Sequence, residues 1–178
     1  DPGLLTGIDV ITSSHNHPDH LDAETLLPLF EANPGAKLVI PRANRGFVVE
    51  RLGAVESRLV EIDAGEITTL GHVEIHGIPA AHNTVERDEA GRCKYLGFVA
   101  RVGGITFYHS GDTLMHDGLV PALAPFAPDV AFVPINGNKP ERRVAGNLDG
   151  REAAELAHAI RARLAIPHHF DMFEFNTA

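Results

Sequence analysis

The sequence predicts an α/β fold in which β-sheets lie in the middle and helices outside, an αββα sandwich. Three observations carry this. Strand-like and helix-like stretches alternate early in the chain, strand-like stretches follow one another in the middle, and a strand, a helix and a strand close it. With 178 residues, 44% hydrophobic and 22% charged, the chain is long enough for one domain with a real core. Residues 1–178 read as that single domain, since neither an internal repeat nor a low-complexity linker divides them.

Ile8 to Thr12 is a short β-branched apolar run after Gly7 and reads as a buried strand. Asp22 then caps a helix whose body, Glu24 to Ala32, places Leu26, Leu29 and Phe30 on one face before Asn33-Pro34-Gly35 ends it. Lys37 to Pro41 reads as a second buried strand. Asn44 to Leu52 follows as a second helix, with Phe47, Val48 and Leu52 along one side and Gly53 as its stop. Glu66 to Leu70, Val73 to Pro79, Lys94 to Val102 and Ile105 to His109 are all β-rich, and Gly103-Gly104 is a two-residue hairpin signal. Val130 to Pro134 is a further buried strand, followed by a polar loop from Asn136 to Leu148. Asp149 and Glu152 form a capping-box start for a helix in which Ala153, Leu156, Ala157, Ile160 and Leu164 keep helical spacing. Ala165-Ile166-Pro167 is a last short strand that ends in His168-His169.

The chemistry is concentrated in Ser14-His15-Asn16-His17-Pro18-Asp19-His20, where three imidazoles and one carboxylate fall within six positions. Side chains two apart on an extended stretch point the same way, so His15 and His17 can grip one cation. Asp19 and His20, past Pro18, turn to a second. Neutral imidazole and carboxylate are ligands that zinc, manganese and iron accept. Three later places offer the same chemistry just after a predicted strand: His82, Asp112 behind Gly111, and the His168-His169 pair.

Composition narrows the partners. The balance of 24 acidic against 15 basic residues gives a formal charge of −9, without a Lys/Arg cluster of the kind that tracks nucleic acid. Anionic substrates stay open, because two divalent cations would add four positive charges in the cleft itself. A lone Cys93 forms no intramolecular disulfide and fits a reducing compartment, so the cytoplasm is the expected location. No apolar run approaches the roughly 20 residues that span a bilayer, so no membrane partner is expected. A homo-oligomer is compatible with all of this.

Taken in order, the motif at His15 to His20, then His82, Asp112 and Ile166-Pro-His-His169, resembles the ligand-bearing motifs of the metallo-β-lactamase fold hydrolases. The resemblance implies two divalent cations per chain, zinc or manganese first and iron as a further option. His15, His17 and His82 would hold one, and Asp19, His20 and His169 the other, with Asp112 bridging. His169 rather than His168 takes the ligand role because the family pattern is Ile-Pro-x-His before an aromatic, here Phe170. Strand alternation also lets one of that pair reach the site, not both. Within the fold, Ser14 to Asp22, Tyr95-Leu-Gly-Phe98, Tyr108 to Thr113 and the loop from Asn136 resemble the L-ascorbate-6-phosphate lactonase branch. That branch has strands before the position of Asp1 and a segment after Ala178, so the chain is expected to be incomplete at both ends.

The resemblance implies a hydrolase in which a metal-bridging hydroxide attacks a carbonyl and Asp19 handles the proton. The expected substrate is a small anionic sugar-derived lactone. Lys139, Arg142 and Arg143 form a candidate clamp for its charged group, and His116 is a further candidate contact. A metal-dependent phosphodiesterase acting on small phosphodiesters would use the same ligands and is the alternative. Beyond it stand an iron oxidoreductase and a metal-binding protein without catalysis.

Overall fold

A computed structural model describes residues 1–53, 55–139 and 146–170. The elements run β1 (Val10–Thr12), α1 (Ala23–Ala32), β2 (Lys37–Pro41), α2 (Arg45–Leu52), β3 (Leu59–Ile62), β4 (Ile67–Leu70), β5 (Val73–Pro79), β6 (Leu96–Val102) and β7 (Ile105–His109). They continue with α3 (Leu119–Leu123), β8 (Val130–Pro134), α4 (Gly150–Ala159) and β9 (Leu164–His168). One sheet has the order β1-β2-β3 and is parallel; the other has the order β4-β5-β6-β7-β8-β9, antiparallel up to β7 and parallel beyond it.

Three apolar clusters show how these sheets become four layers. Leu26, Leu29 and Phe30 of α1 and Val48 and Leu52 of α2 pack on Leu38 and Ile40, so the helical pair covers the outside of the small sheet. Val39 and Ile62 point the other way and meet Ile75, Leu96 and Phe98 between the sheets. Leu119, Leu123, Leu156 and Ile160 then cover Val99, Tyr108, Ala131 and Val133 on the outside of the large sheet. The alternation of Leu38, Val39 and Ile40 between two clusters is the period-two consequence of a strand buried on both faces. The αββα sandwich is therefore the observed fold.

Local chemistry explains most of the element ends. The Asp22 carboxylate accepts from the backbone N–H groups of Glu24 and Thr25, and Asp149 and Glu152 close a reciprocal capping box at α4. Gly103 and Gly104 take positive φ values of 59° and 80°, as the tight turn between β6 and β7 requires. Three expectations are corrected, and one strand is added. The strand expected over Ile8 to Thr12 begins only at Val10. Phe47 is 51% exposed, because α2 turns only Val48 and Leu52 into the core. Leu164 opens β9 instead of closing α4, since Arg161 enters the left-handed region at φ 58° and stops the helix. The strand β3 carried no strong sequence signal, yet it pairs in parallel with β2 from Leu38↔Leu59 onward. Among the described residues no helix is long and apolar enough to cross a membrane.

Candidate metal centre

The first ligand segment leaves the end of β1 and folds into a compact loop. Ser13 N–H still donates to the Val39 carbonyl at 3.0 Å, and the Ser13 hydroxyl lies 3.1 Å and 2.8 Å from the carbonyls of His15 and His20. From α2, the Arg51 guanidinium donates to the carbonyls of Asn16 at 2.8 Å and Leu21 at 3.2 Å. The loop is thus clamped on both sides of the histidines, so their rings start from a fixed backbone.

The other ligand segments follow strand ends of the large sheet. His82 comes just after β5, and its segment is tied to the one after β7 by Ala81 N–H to Thr113 Oγ1 at 3.0 Å and Leu114 N–H to the Ala81 carbonyl at 2.7 Å. Gly111, at φ 58°, lets the chain turn beneath Ser14 and present Asp112. His169 follows β9 and takes φ 56°, so it leaves the strand direction and does not continue the alternation.

These segments converge into two groups of potential ligand atoms. His15, His17 and His82 form one, and Asp19, His20, Asp112 and His169 the other, with the atoms of each group within 4.8 Å of one another. Asp112 stands at the junction. One carboxylate oxygen is 3.2 Å from His20 Nε2, and the other lies 3.3 Å from His169 Nε2, 3.4 Å from His82 Nε2 and 3.9 Å from His15 Nε2. Asp19 reaches His169 Nε2 at 3.3 Å and His20 Nε2 at 3.5 Å.

The donor set fits cations on an observation internal to the protein. Nε2 of His15, His20 and His169 and Oδ1 of Asp112 are buried, and none has a hydrogen-bond partner. Leaving a buried polar atom unsatisfied costs about 1–3 kcal/mol. Four such atoms converging on one place are costly for the protein alone and are what a cation would satisfy. Supporting hydrogen bonds aim the rings: His82 Nδ1–H donates to the Gly146 carbonyl at 2.9 Å, which leaves Nε2 as the inward lone pair.

The electrostatics agree. Burial, with His20 adding to it, pushes His15 down to about 2, and burial also lowers His82, so both rings stay neutral as ligation requires. Burial opposes charge on Asp112, but the close His169 and His20 rings outweigh it and hold the carboxyl far below the usual range. The His169 ring beside it takes Asp19 down to about 2, while the nearby Asp112 and Asp19 carboxylates push His169 up to about 10. A proton on His169 thus balances the carboxylates, and a cation gripped by the same atoms would balance them while displacing that proton.

The family described as the Beta-lactamase superfamily domain matches residues 2–170. A UPF0173 metal-dependent hydrolase of Opitutus terrae is 32% identical over 168 residues, covering 92% of this chain and 67% of that relative. The chain belongs to the UPF0173 metal-dependent hydrolase family of the beta-lactamase superfamily. A second member, from Pyrococcus furiosus, is 28% identical over 96% of this chain and 70% of its own length. In fold, this UPF0173 chain is similar to Igni18, a metallo hydrolase from Ignicoccus hospitalis, with a TM-score of 0.72 and 21% identity over 96% of the chain and 67% of that structure.

In this UPF0173 chain the seven residues singled out for metal all lie in the two groups, and of the substrate-contact candidates His116 and Lys139 are among the described residues. The ring of His116 turns to the backbone, where its Nε2 lies 3.1 Å from the Pro79 carbonyl. Lys139 is exposed, and Arg142 and Arg143 lie outside the described residues. Two neighbours of the centre, Arg51 and Tyr95, carry no assigned role in the sequence, whereas His109 reads there as a core residue or a support for the ligands. Arg51 acts on a loop some thirty residues away in sequence, so local spacing carried no signal for it. The Tyr95 ring stands 5.0 Å from that of His15 and 5.6 Å from that of His82. His109 borders, with Thr12, Ser14, Asp19, His20 and Phe98, a cleft of about 200 Å3 beside the second group.

Proposed function

We propose that this chain is a dinuclear metal-dependent hydrolase that opens a small, anionic, sugar-derived lactone. The observation that carries the reading is the meeting of two ligand groups on one buried carboxylate, Asp112, with unsatisfied imidazole nitrogens facing it. His15, His17 and His82 would hold one cation and Asp19, His20 and His169 the other, with Asp112 serving both. Zinc or manganese, with iron as the further option, would polarise a substrate oxygen and make a water acidic enough to ionise near neutral pH. Asp19 sits at the mouth of the centre with its side chain 22% exposed, so it can take up a proton and pass it to solvent.

The lactone rests on the resemblance carried by Tyr95 to Phe98, Tyr108 to Thr113 and the loop after Asn136. Lys139, Arg142 and Arg143 are assigned to the phosphate or carboxylate handle, and His116 is the weaker candidate because its Nε2 is already placed on Pro79. The same reading treats residues 1–178 as one domain acting in the cytoplasm, where the buried thiol of Cys93 stays reduced. It needs no nucleic acid and no membrane, and it is compatible with a homo-oligomer.

Metal content by mass spectrometry, together with turnover of a phosphorylated lactone, its dephosphorylated analogue and a small phosphodiester, tests this. Two cations per chain and preferred turnover of the phosphorylated lactone are expected. Alanine at Lys139, Arg142 or Arg143 should raise KM about tenfold to a hundredfold for each residue that touches the anion, with little change in kcat. One cation or none after reconstitution would sink the dinuclear reading. Turnover of the phosphodiester alone would replace the lactone by the phosphodiesterase alternative.

A further inference from the structure

Ser14 has no part in the chemistry above, yet its surroundings are specific. Its hydroxyl oxygen lies 2.9 Å from Nδ1 of His15 and 3.2 Å from Nδ1 of His20, and the residue is 7% exposed. His15 belongs to the first ligand group and His20 to the second. We propose that Ser14 is a positioning residue that couples the two halves of the centre, its single oxygen accepting from Nδ1–H of both rings so that both offer Nε2 to cations. The inference rests on the two-cation reading.

A neutral imidazole carries one N–H, so a ring that ligates through Nε2 must hold its proton on Nδ1. A serine oxygen has two acceptor sites and one donor. If the hydroxyl donates to either ring, that ring's Nδ1 is bare, its proton sits on Nε2 and it cannot ligate there. Only when the hydroxyl hydrogen turns away from both rings are His15 and His20 competent together. One rotor thereby sets the tautomers of two ligands in different groups.

The fold holds this oxygen in place from two further sides. Leu96 N–H donates to the Ser14 carbonyl at 3.0 Å, which fastens the residue to the start of β6. Opposite it is Gly111, where an added Cβ would come within 2.6 Å of Ser14 Cβ and 2.9 Å of its oxygen. The glycine next to Asp112 is thus the space that Ser14 fills. Loop shape is secured separately by Ser13 and Arg51, so removing the Ser14 hydroxyl should leave the backbone standing.

The test uses the whole chain with zinc as the probe. Stepwise competition against a chelator should find both zinc ions weakened about tenfold to a hundredfold in Ser14→Ala, the range usual for loss of a group that orients a ligand. The thermal midpoint after chelator treatment should change little. A parallel arm needs no variant: nitrogen-15 imidazole spectra of the zinc-loaded wild type should place protons on Nδ1 of both His15 and His20. Wild-type affinity in Ser14→Ala, weakening of one zinc ion alone, or a proton on Nε2 of either ring would overturn the proposal. A wild type that takes up fewer than two zinc ions overturns the two-cation reading itself, and the proposal with it.

Discussion

His168 and His169 are neighbours in sequence with different surroundings, and the backbone between them explains why. His168 closes β9 and turns its Nε2 to the Ser110 hydroxyl at 3.3 Å, while its ring stacks on that of His109 at 4.7 Å. His169 steps out at φ 56° and brings Nε2 to within 3.3 Å of both Asp19 and Asp112. His169→Ala should lose the cation of the second group and reduce kcat/KM by more than about a hundredfold, since the ligand itself is gone. His168→Ala should keep the full metal content and most of the activity. Metal analysis and steady-state kinetics of the two variants check this, and the reverse ranking would exchange their roles.

At the scale of elements, the capping of α4 matters to the centre because the cap follows directly on the segment that supports His82. Asp149 accepts from Glu152 N–H at 2.8 Å, and Glu152 returns the bond to Asp149 N–H at 3.0 Å. Three residues earlier, the Gly146 carbonyl takes the His82 Nδ1 proton, and Leu148 N–H donates to the Thr113 carbonyl at 2.9 Å. Asp149→Ala should cost about 1 kcal/mol in urea unfolding, and Asp149→Asn, which still accepts, should cost clearly less. Equal losses for both would mean that the carboxylate acts through something other than the cap.

Across the whole molecule, the centre makes stability depend on pH once cations are stripped by a chelator. His169 is raised from 6.5 to about 10, so its contribution is complete below pH 6.5 and is lost as pH climbs toward 10. His15 is lowered from 6.5 to about 2, so the unfolded chain gains a proton that the folded chain refuses, and stability also falls as pH drops below 6.5. Each ring contributes a slope of up to about 1.4 kcal/mol per pH unit on its own side. The stripped protein should therefore be most stable near pH 6.5, and zinc should flatten the alkaline limb by taking the place of the His169 proton. Urea unfolding at pH 5, 6.5 and 8.5 with and without zinc measures this; a flat profile in chelator would contradict it.

What the sequence by itself determined is the chemistry that acts over a few residues. His15, His17, Asp19 and His20 were legible because three imidazoles and a carboxylate crowd into six positions, although they sit on a turn and not on the extended stretch expected, and Asp22, Gly103-Gly104 and the Asp149/Glu152 box because caps and turns are satisfied within four positions. The strands β2, β5, β7 and β8 were legible because runs of apolar, mostly β-branched residues leave little choice of layer. Tertiary structure decided what depends on distant partners. Only the pairing with β2 makes a strand of Leu59–Ile62, and only packing against α1 leaves Phe47 outside while Val48 goes in. The assembly of His82, Asp112 and His169 around the first motif joins segments from opposite sheets, and the bonds that aim it, from Arg51 to the loop and from His82 to the Gly146 carbonyl, link residues far apart in sequence. No local period encodes such contacts, because they exist only once the two sheets have closed on their shared core.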